Sequence, residues 1–433
     1  MTYKLKYFWI IILICDTVST TAQLPAKKAN DFINSIGVAT HLSYDGVYQN
    51  TNNVKNQLLN LGIKHIRDGI DTNFSAVKDL AKSGIKITGI LQGDFNIPAQ
   101  TPTYWIQKVK KAGALDGFEA FEGPNEADLP MMCFTYKGQG WPEGVRAFQK
   151  DLYQTVKNDP TLNHLPVLGP TIGSGLKAPF ANAMGDISAY VDFGNFHYYK
   201  AWGQSYSEGF PDWDLKSVKN SHNVMFGNKP YMSTEGSYHT AIKTESGISE
   251  SVNAKYTLRF FLEYWRLGIV RTFKYELFDE GTSFSNAEDK FGLIENDGTT
   301  IKKTGIALKN LISILTDPFP TKIFTPNSLN FSIINEDSNT HYSLLQKSTG
   351  KYYLIIWNDG PSWDEDLKSE IKNTDSLTII FNQKILQAKL FAPCTNGIEV
   401  LKTIQNPKLL TAIIPNHPYI YEITIPTLLK LGD

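Results

Sequence analysis

The sequence predicts an α/β protein, an eight-stranded (β/α)8 barrel followed by a small C-terminal antiparallel β-sandwich. Three observations carry that prediction. From residue 34 to 317, short β-branched or apolar runs alternate with longer amphipathic ones, as repeated βα units do when they close a parallel sheet. Glycines recur where a helical pattern gives way to the next apolar run, at Leu61-Gly62-Ile63, Ser83-Gly84-Ile85 and Leu267-Gly268-Ile269. Beyond Pro318 and Pro320 the pattern becomes short alternating runs parted by Asn, Asp, Gly and Pro.

In chain order, the first residues are a basic MTYKLK, an apolar YFWIIILIC and a DTVSTTA stretch that puts small residues at Thr20 and Ala22. That order predicts a signal peptide over residues 1–22 and an exported product, secreted or periplasmic. The apolar run is too short to span a bilayer, and no later stretch approaches the roughly 18 apolar residues a transmembrane segment needs. Lipid attachment at Cys15 is the alternative; Ile14 stands where a small residue is expected, and Asp16 follows. The barrel is expected over 23–317, with 23–33 leading into it or adding to the small domain, and the sandwich over 318–433.

The eight strand candidates are residues 36–42, 63–67, 85–91, 115–122, 166–169, 191–197, 231–234 and 270–276. Helical patterns lie between them, among them 54–61, 105–111, 145–157, 254–267 and 306–315, with Gly62, Gly84, Gly113 and Gly268 placed to cap them. Eight units over about 280 residues fit the usual size of a TIM barrel. Sandwich strands are expected at 331–334, 351–357, 377–381, 388–391 and 418–424.

Composition narrows the function. The formal net charge is -1, which favours neither nucleic acid nor an anionic membrane surface and suits a neutral ligand. With the leader gone, only Cys133 and Cys394 remain, far apart in sequence, so no disulfide framework or zinc ribbon is expected. No His, Cys, Asp or Glu set has metal-ligand spacing, and the turn at Glu295-Asn296-Asp297-Gly298 is too short for a calcium loop. A glycine-rich phosphate loop is lacking, and Ser174 and Ser283 lack a nucleophile-elbow context. No cofactor and no metal are therefore expected.

Barrel chemistry sits where strands end at the C-terminal face. The fourth strand runs into Gly123-Pro124-Asn125-Glu126, and the seventh into Ser233-Thr234-Glu235-Gly236. Those strands face each other across a barrel just wide enough for side chains, so carboxylates at their upper ends can converge. Retaining glycoside hydrolysis needs two carboxyl groups about 5 to 5.5 Å apart, one protonated and one ionised. Mutual repulsion favours that split.

These two motifs resemble those of clan A of the retaining glycoside hydrolases. The resemblance makes Glu126 the acid/base and Glu235 the nucleophile, with Asn125 bonding the sugar 2-hydroxyl. Arg67, ending the second strand, matches the arginine that supports the nucleophile, and His197 and Tyr199 match a His-X-Tyr element that orients it and lines the sugar site. The residues from Phe291 to Lys303 resemble the clan's loop into the last helix. Many members end the eighth strand with tryptophan; here it reads Tyr275-Glu276-Leu277-Phe278, so Tyr275 or Phe278 takes the platform position.

Other readings stand beside these. Glu119 and Glu122 are Glu126's nearest rivals, either one a barrel-interior residue paired with a cation. Glu276 and Asp279 compete with Glu235, and equally suit binding of sugar hydroxyls or of Arg67. Arg67 equally suits neutralising buried carboxylates without touching substrate. His41 and His65 read first as hydrogen-bonded core residues, with His41 near enough to reach a substrate. In the aromatic loop after the sixth strand, Trp202 is a candidate sugar-stacking wall or a packing partner of Tyr136 and Trp141. The expected activity is hydrolysis of β-linked oligo- or polysaccharides by double displacement. The alternatives are transglycosylation with the same residues and a non-catalytic carbohydrate-binding barrel.

Overall fold

The computed structural model describes residues 22–71, 73–92, 100–173, 178–199 and 222–426. Residues 1–21 of the expected leader and the loop bearing Trp202 lie outside the described residues.

The described chain opens with two short strands, β1 (Ala22–Pro25) and β2 (Lys27–Lys28), and a short helix, α1 (Ala29–Asn34). The barrel strands follow: β3 (Ile36–Ala39), β4 (His65–Gly69), β5 (Lys86–Ile90), β6 (Phe118–Glu122), β7 (Val167–Leu168), β8 (Gly194–Tyr199), β9 (Tyr231–Ser237) and β10 (Thr272–Lys274). They form one parallel sheet in the order β7-β6-β5-β4-β3-β10-β9-β8. A parallel bridge between Leu168 and Phe193 brings its two ends together, so the sheet closes as a TIM barrel. Ala120, Leu168 and Met232 pack inside it beside Phe193.

Apolar residues pointing the other way, such as Ile66, Ile87, Phe121 and Phe196, pack under the surrounding helices. Those helices are α2 (Thr51–Leu61), α3 (Phe74–Lys82), α4 (Pro102–Ala112), α5 (Glu143–Lys157), α6 (Ala178–Met184), α7 (Glu250–Arg266) and α8 (Lys303–Leu315). Their ends follow local chemistry. Asn50, Asn73, Thr101 and Ser249 accept backbone N–H groups at helix starts. Gly62 and Gly113 close α2 and α4 in the left-handed conformation, at φ 77° and 62°.

Strand boundaries differ from expectation where tertiary contacts intervene. Residues 115–117 form a 3-10 turn, because Gly117 passes so close to Val77 that a Cβ would lie 2.3 Å from its side chain. The sixth and seventh strands run on to Tyr199 and Ser237, since polar residues continue the ladder where they point into the barrel mouth.

Two further sheets form the sandwich, and β14 (Trp363–Asp364) and β15 (Ser369–Glu370) pair with each other outside them. One has the order β1-β11-β16-β19, with β11 (Ser328–Ile334), β16 (Thr374–Phe381) and β19 (Leu409–Pro415). The other runs β18-β17-β20-β13-β12-β2, with β12 (Thr340–Gln346), β13 (Tyr352–Asn358), β17 (Gln387–Phe391), β18 (Lys402–Gln405) and β20 (Tyr419–Thr424). Residues 22–28 pair with these sheets, β1 along β11 and β2 along β12, and Ala26 is buried in the sandwich core, which is the second of the two placements the sequence leaves open for 23–33.

β13 is buried on both faces. Leu354 and Ile356 enter the sandwich core, while Tyr353, Ile355 and Trp357 pack with the barrel's core. Arg259 of α7, fully buried, fastens the same junction by donating to the Asp359 carboxylate at 2.7 Å and to the Asp359, Gly360 and Asn416 carbonyls.

Candidate active site

Backbone anchoring sets the position of Glu126. Gly123 leaves β6 so tightly against Gln149 and Pro170 that any Cβ would collide. The Asn125 N–H then donates to Gln92 Oε1 at 2.7 Å and the Glu126 N–H to Thr171 Oγ1 at 3.0 Å. Glu126 itself sits at φ 45°, in a left-handed conformation that turns its side chain back over the barrel mouth. Residues that follow the third and fifth strands thus hold the end of the fourth.

Glu235, in β9, is nearly buried, and its carboxylate is gripped from two sides. Arg67 Nη1 donates to Oε1, and the Tyr199 hydroxyl donates to Oε2 at 2.5 Å. Arg67 spends its other donors nearby: Nε and Nη2 on the two Glu122 oxygens at 2.9 and 2.7 Å, and Nη2 also on Asn125 Oδ1 at 2.7 Å. His197 lies between the two glutamates, Nδ1 being 2.7 Å from Glu126 Oε1 and 3.6 Å from Glu235 Oε2, with Nε2 3.0 Å from Thr234 Oγ1.

The electrostatics follow from these contacts. Burial pushes the Glu235 carboxyl up, but the charges of His197 and Arg67 and the hydrogen bonds from Tyr199 and Arg67 outweigh it and hold Glu235 well below the usual carboxylate range. For Arg67, burial works against the charge, and Glu122 and Glu235 more than restore it. Burial and the neighbouring Glu235 charge push the Tyr199 phenol up, so it remains a proton donor to that carboxylate.

One carboxylate oxygen of Glu126, one of Glu235 and a ring nitrogen of His197 lie within 4.8 Å of one another. They open onto a cavity of about 440 Å³ whose wall includes Asn125, Tyr199, Tyr275 and Phe291. Tyr275 and Phe291 meet edge to face at 5.3 Å, and Tyr199 meets each of them in the same manner.

Among the sequence-derived candidates, Asn125, Glu126, Tyr199, Glu235 and Tyr275 line this cavity, with Arg67 and His197 directly behind the two glutamates. Of the two platform candidates, Phe278 is fully buried against Tyr48, leaving Tyr275 on the wall. Glu276 lies beneath the wall, fully buried, accepting from the Tyr48 hydroxyl at 2.9 Å; burial and the Glu280 charge push its carboxyl well up. Asp279 does not bond Arg67: it takes Lys302 at 2.9 Å, Lys290 at 3.1 Å and the Gly292 N–H. Glu122 and Glu119 are both paired with cations, Glu122 with Arg67 and Glu119 with Arg271, and the His65 Nδ1 lies 2.9 Å from the Glu119 carboxylate. His41 lines the cavity, stacked on Tyr44 at 4.3 Å. Trp202 lies outside the described residues.

His239, Ser246 and Glu288 also line the cavity and were not among the candidates, since loop residues carry no periodic signal. A second ligand-type set, His41, Glu276 and Glu280, brings its atoms within 4.8 Å as well. Neither set shows in local spacing, because each joins residues far apart in the chain. In the Glu126 set, Arg67 and Tyr199 already occupy both Glu235 oxygens.

No family profile matches the sequence, and no curated protein does. Solved structures do. A family 39 glycoside hydrolase from Bacteroides cellulosilyticus WH2 is 14% identical, with a TM-score of 0.62 over 93% of this chain and 83% of its own. A glucosidase from Croceicoccus marinus is 11% identical, with a TM-score of 0.58 over 95% of this chain and 98% of its own. A family 51 arabinofuranosidase from Xanthomonas axonopodis pv. citri is 11% identical, with a TM-score of 0.58 over 92% and 98%. The likeness is one of fold, and it extends over both the barrel and the sandwich.

Proposed function

We propose that this protein is a retaining glycoside hydrolase acting on β-linked glycosides, with Glu126 as acid/base and Glu235 as nucleophile. One observation carries the reading: oxygens of the two carboxylates approach within 4.8 Å. That spacing suits direct attack by one carboxylate, whereas inversion with an intervening water needs about 6.5 to 9.5 Å.

The roles divide by environment. Glu235, kept ionised by Arg67 and Tyr199, attacks the anomeric carbon and forms a glycosyl-enzyme as the glycosidic bond breaks. Glu126, on the more open side, gives its proton to the departing oxygen and then takes one from the water that attacks the intermediate. His197, 2.7 Å from Glu126, orients that carboxyl. Asn125, fixed by Arg67, has its amide free to meet the sugar 2-hydroxyl, a contact that strengthens as positive charge builds at the ring. The solved barrels of like fold named as glycoside hydrolases support the same class of reaction.

The test is a panel of aryl β-glycosides and of plant, algal and microbial polysaccharides, offered to the protein without residues 1–22 and to Glu235→Gln. Turnover by the wild type and loss of at least about 1000-fold in the variant is expected for a nucleophile. Equal turnover by both contradicts the assignment, and binding without turnover by the wild type favours a carbohydrate-binding barrel.

A further inference from the structure

The charges around the cavity bear on which sugars it accepts. Its acidic side chains, among the described residues, are Glu126, which carries the proton it gives to the departing oxygen, Glu235 and Glu288. Two of them belong to the proposed chemistry. Glu288 does not; it stands on a 3-10 turn (Glu288–Lys290) after β10, and the Tyr275 hydroxyl, on the aromatic wall, donates to its Oε2 at 3.3 Å.

Four described cations behind and beside the wall are committed elsewhere. Arg67 spends its guanidinium on Glu122, Asn125 and Glu235. Lys274 is buried behind the wall and donates to the Tyr275 and Phe291 carbonyls at 2.9 and 2.5 Å. Lys290 and Lys302 converge on Asp279, at 3.1 and 2.9 Å. The two imidazoles on the wall, His41 and His239, are uncharged at neutral pH, burial pulling both down to about 4. A carboxylate or sulfate on a bound sugar would therefore meet, among the described residues that line the cavity, carboxylates and no lysine or arginine.

We propose that the cavity selects glycosides whose sugar bears no anionic group, and that Glu288 is a specificity-determining residue that enforces this exclusion. The inference rests on the reading of the cavity as a glycosidase site. It names the substrate class as neutral glycosides, with uronides and sulfated sugars rejected.

The experiment compares matched aryl β-glycosides differing only at C6, glucoside against glucuronide and galactoside against galacturonide, for the wild type, Glu288→Gln and Glu288→Lys. Glu288 is exposed, so both variants are expected to fold, which melting curves check. The neutral member is expected to be favoured in kcat/KM by at least about 100-fold in the wild type, by about tenfold less in Glu288→Gln, and by less again in Glu288→Lys. Higher salt narrows the wild-type gap in the same direction. Equal use of both members by the wild type overturns the proposal, as does a gap unchanged in both variants. Glu235→Gln, run alongside, keeps the two readings apart: turnover that survives it overturns the assigned chemistry while the ratio still reports on Glu288. If the wild type turns over no pair, calorimetric binding of the same compounds gives the ratio; failure to bind any of them overturns both readings.

Discussion

Arg67 joins three acceptors that would otherwise repel or drift: Glu122, Glu235 and Asn125. A guanidinium suits this position because its planar fork serves Glu122 with two parallel bonds while still reaching Glu235. Tyr199 supplies the remaining hydrogen bond to the Glu235 carboxylate, and both contacts favour the charged form. In Tyr199→Phe one of those supports is lost, so Glu235 protonates more readily and the acid limb of the kcat/KM profile moves up by about one to two pH units. A pH profile superimposable on the wild type would show that Tyr199 does not govern Glu235. These residues could be brought together from the sequence because each lies at or near the C-terminal end of a strand in a counted series, and a barrel gathers strand ends at one mouth. Glu288, His239 and Ser246 could not, since they reach the cavity from loops whose path is set only by the finished fold.

In β10, three residues long, Lys274 ties the wall together from behind. It is fully buried and holds the backbone carbonyls of two cavity residues, Tyr275 and Phe291. Burial and the Lys302 charge lower its ammonium to about 7, against the opposing pull of Glu276 and Asp279. An unfolded lysine keeps its proton to about 10.4. Between these values the unfolded chain binds more protons than the folded one, so stability rises with pH from about 7 to about 10, and the burden of burying the charge is greatest below that window. The wild-type melting temperature is expected to climb across this range, and the climb to flatten in Lys274→Met; parallel curves would contradict the account. Elements were read best where hydrophobic period and burial agree. β19 escaped because its exposed positions include Leu409 and Ile413, so the polar half of the alternation is missing. β12 escaped because its buried positions include Thr340, Ser343 and Gln346.

The barrel and the sandwich share one buried seam rather than a flexible link. β13 serves both cores, which is why residues 352–357 read as a continuous apolar run instead of an alternating one. Arg259 is the polar fastening of that seam, and its removal takes from the buried Asp359 carboxylate the guanidinium it bonds at 2.7 Å. Arg259→Met is expected to cost about 3 to 5 kcal/mol in denaturant unfolding; a loss within about 0.5 kcal/mol would make the pair incidental. The change of period beyond Pro318 stands out in the sequence, whereas residues 23–33 stayed open there between barrel and small domain, because two to four residues carry no pattern that names a partner strand; β1 and β2 pair with the sandwich. The same closed architecture brings the fourth and seventh strands to opposite sides of one mouth, and the spacing of Glu126 and Glu235 follows from it. The stereochemistry of the first product reads that spacing most directly: proton NMR of the sugar released from whichever aryl β-glycoside is turned over, recorded before mutarotation. The account predicts the β anomer first; release of the α anomer would mean inversion and would contradict the double displacement assigned to these two carboxylates.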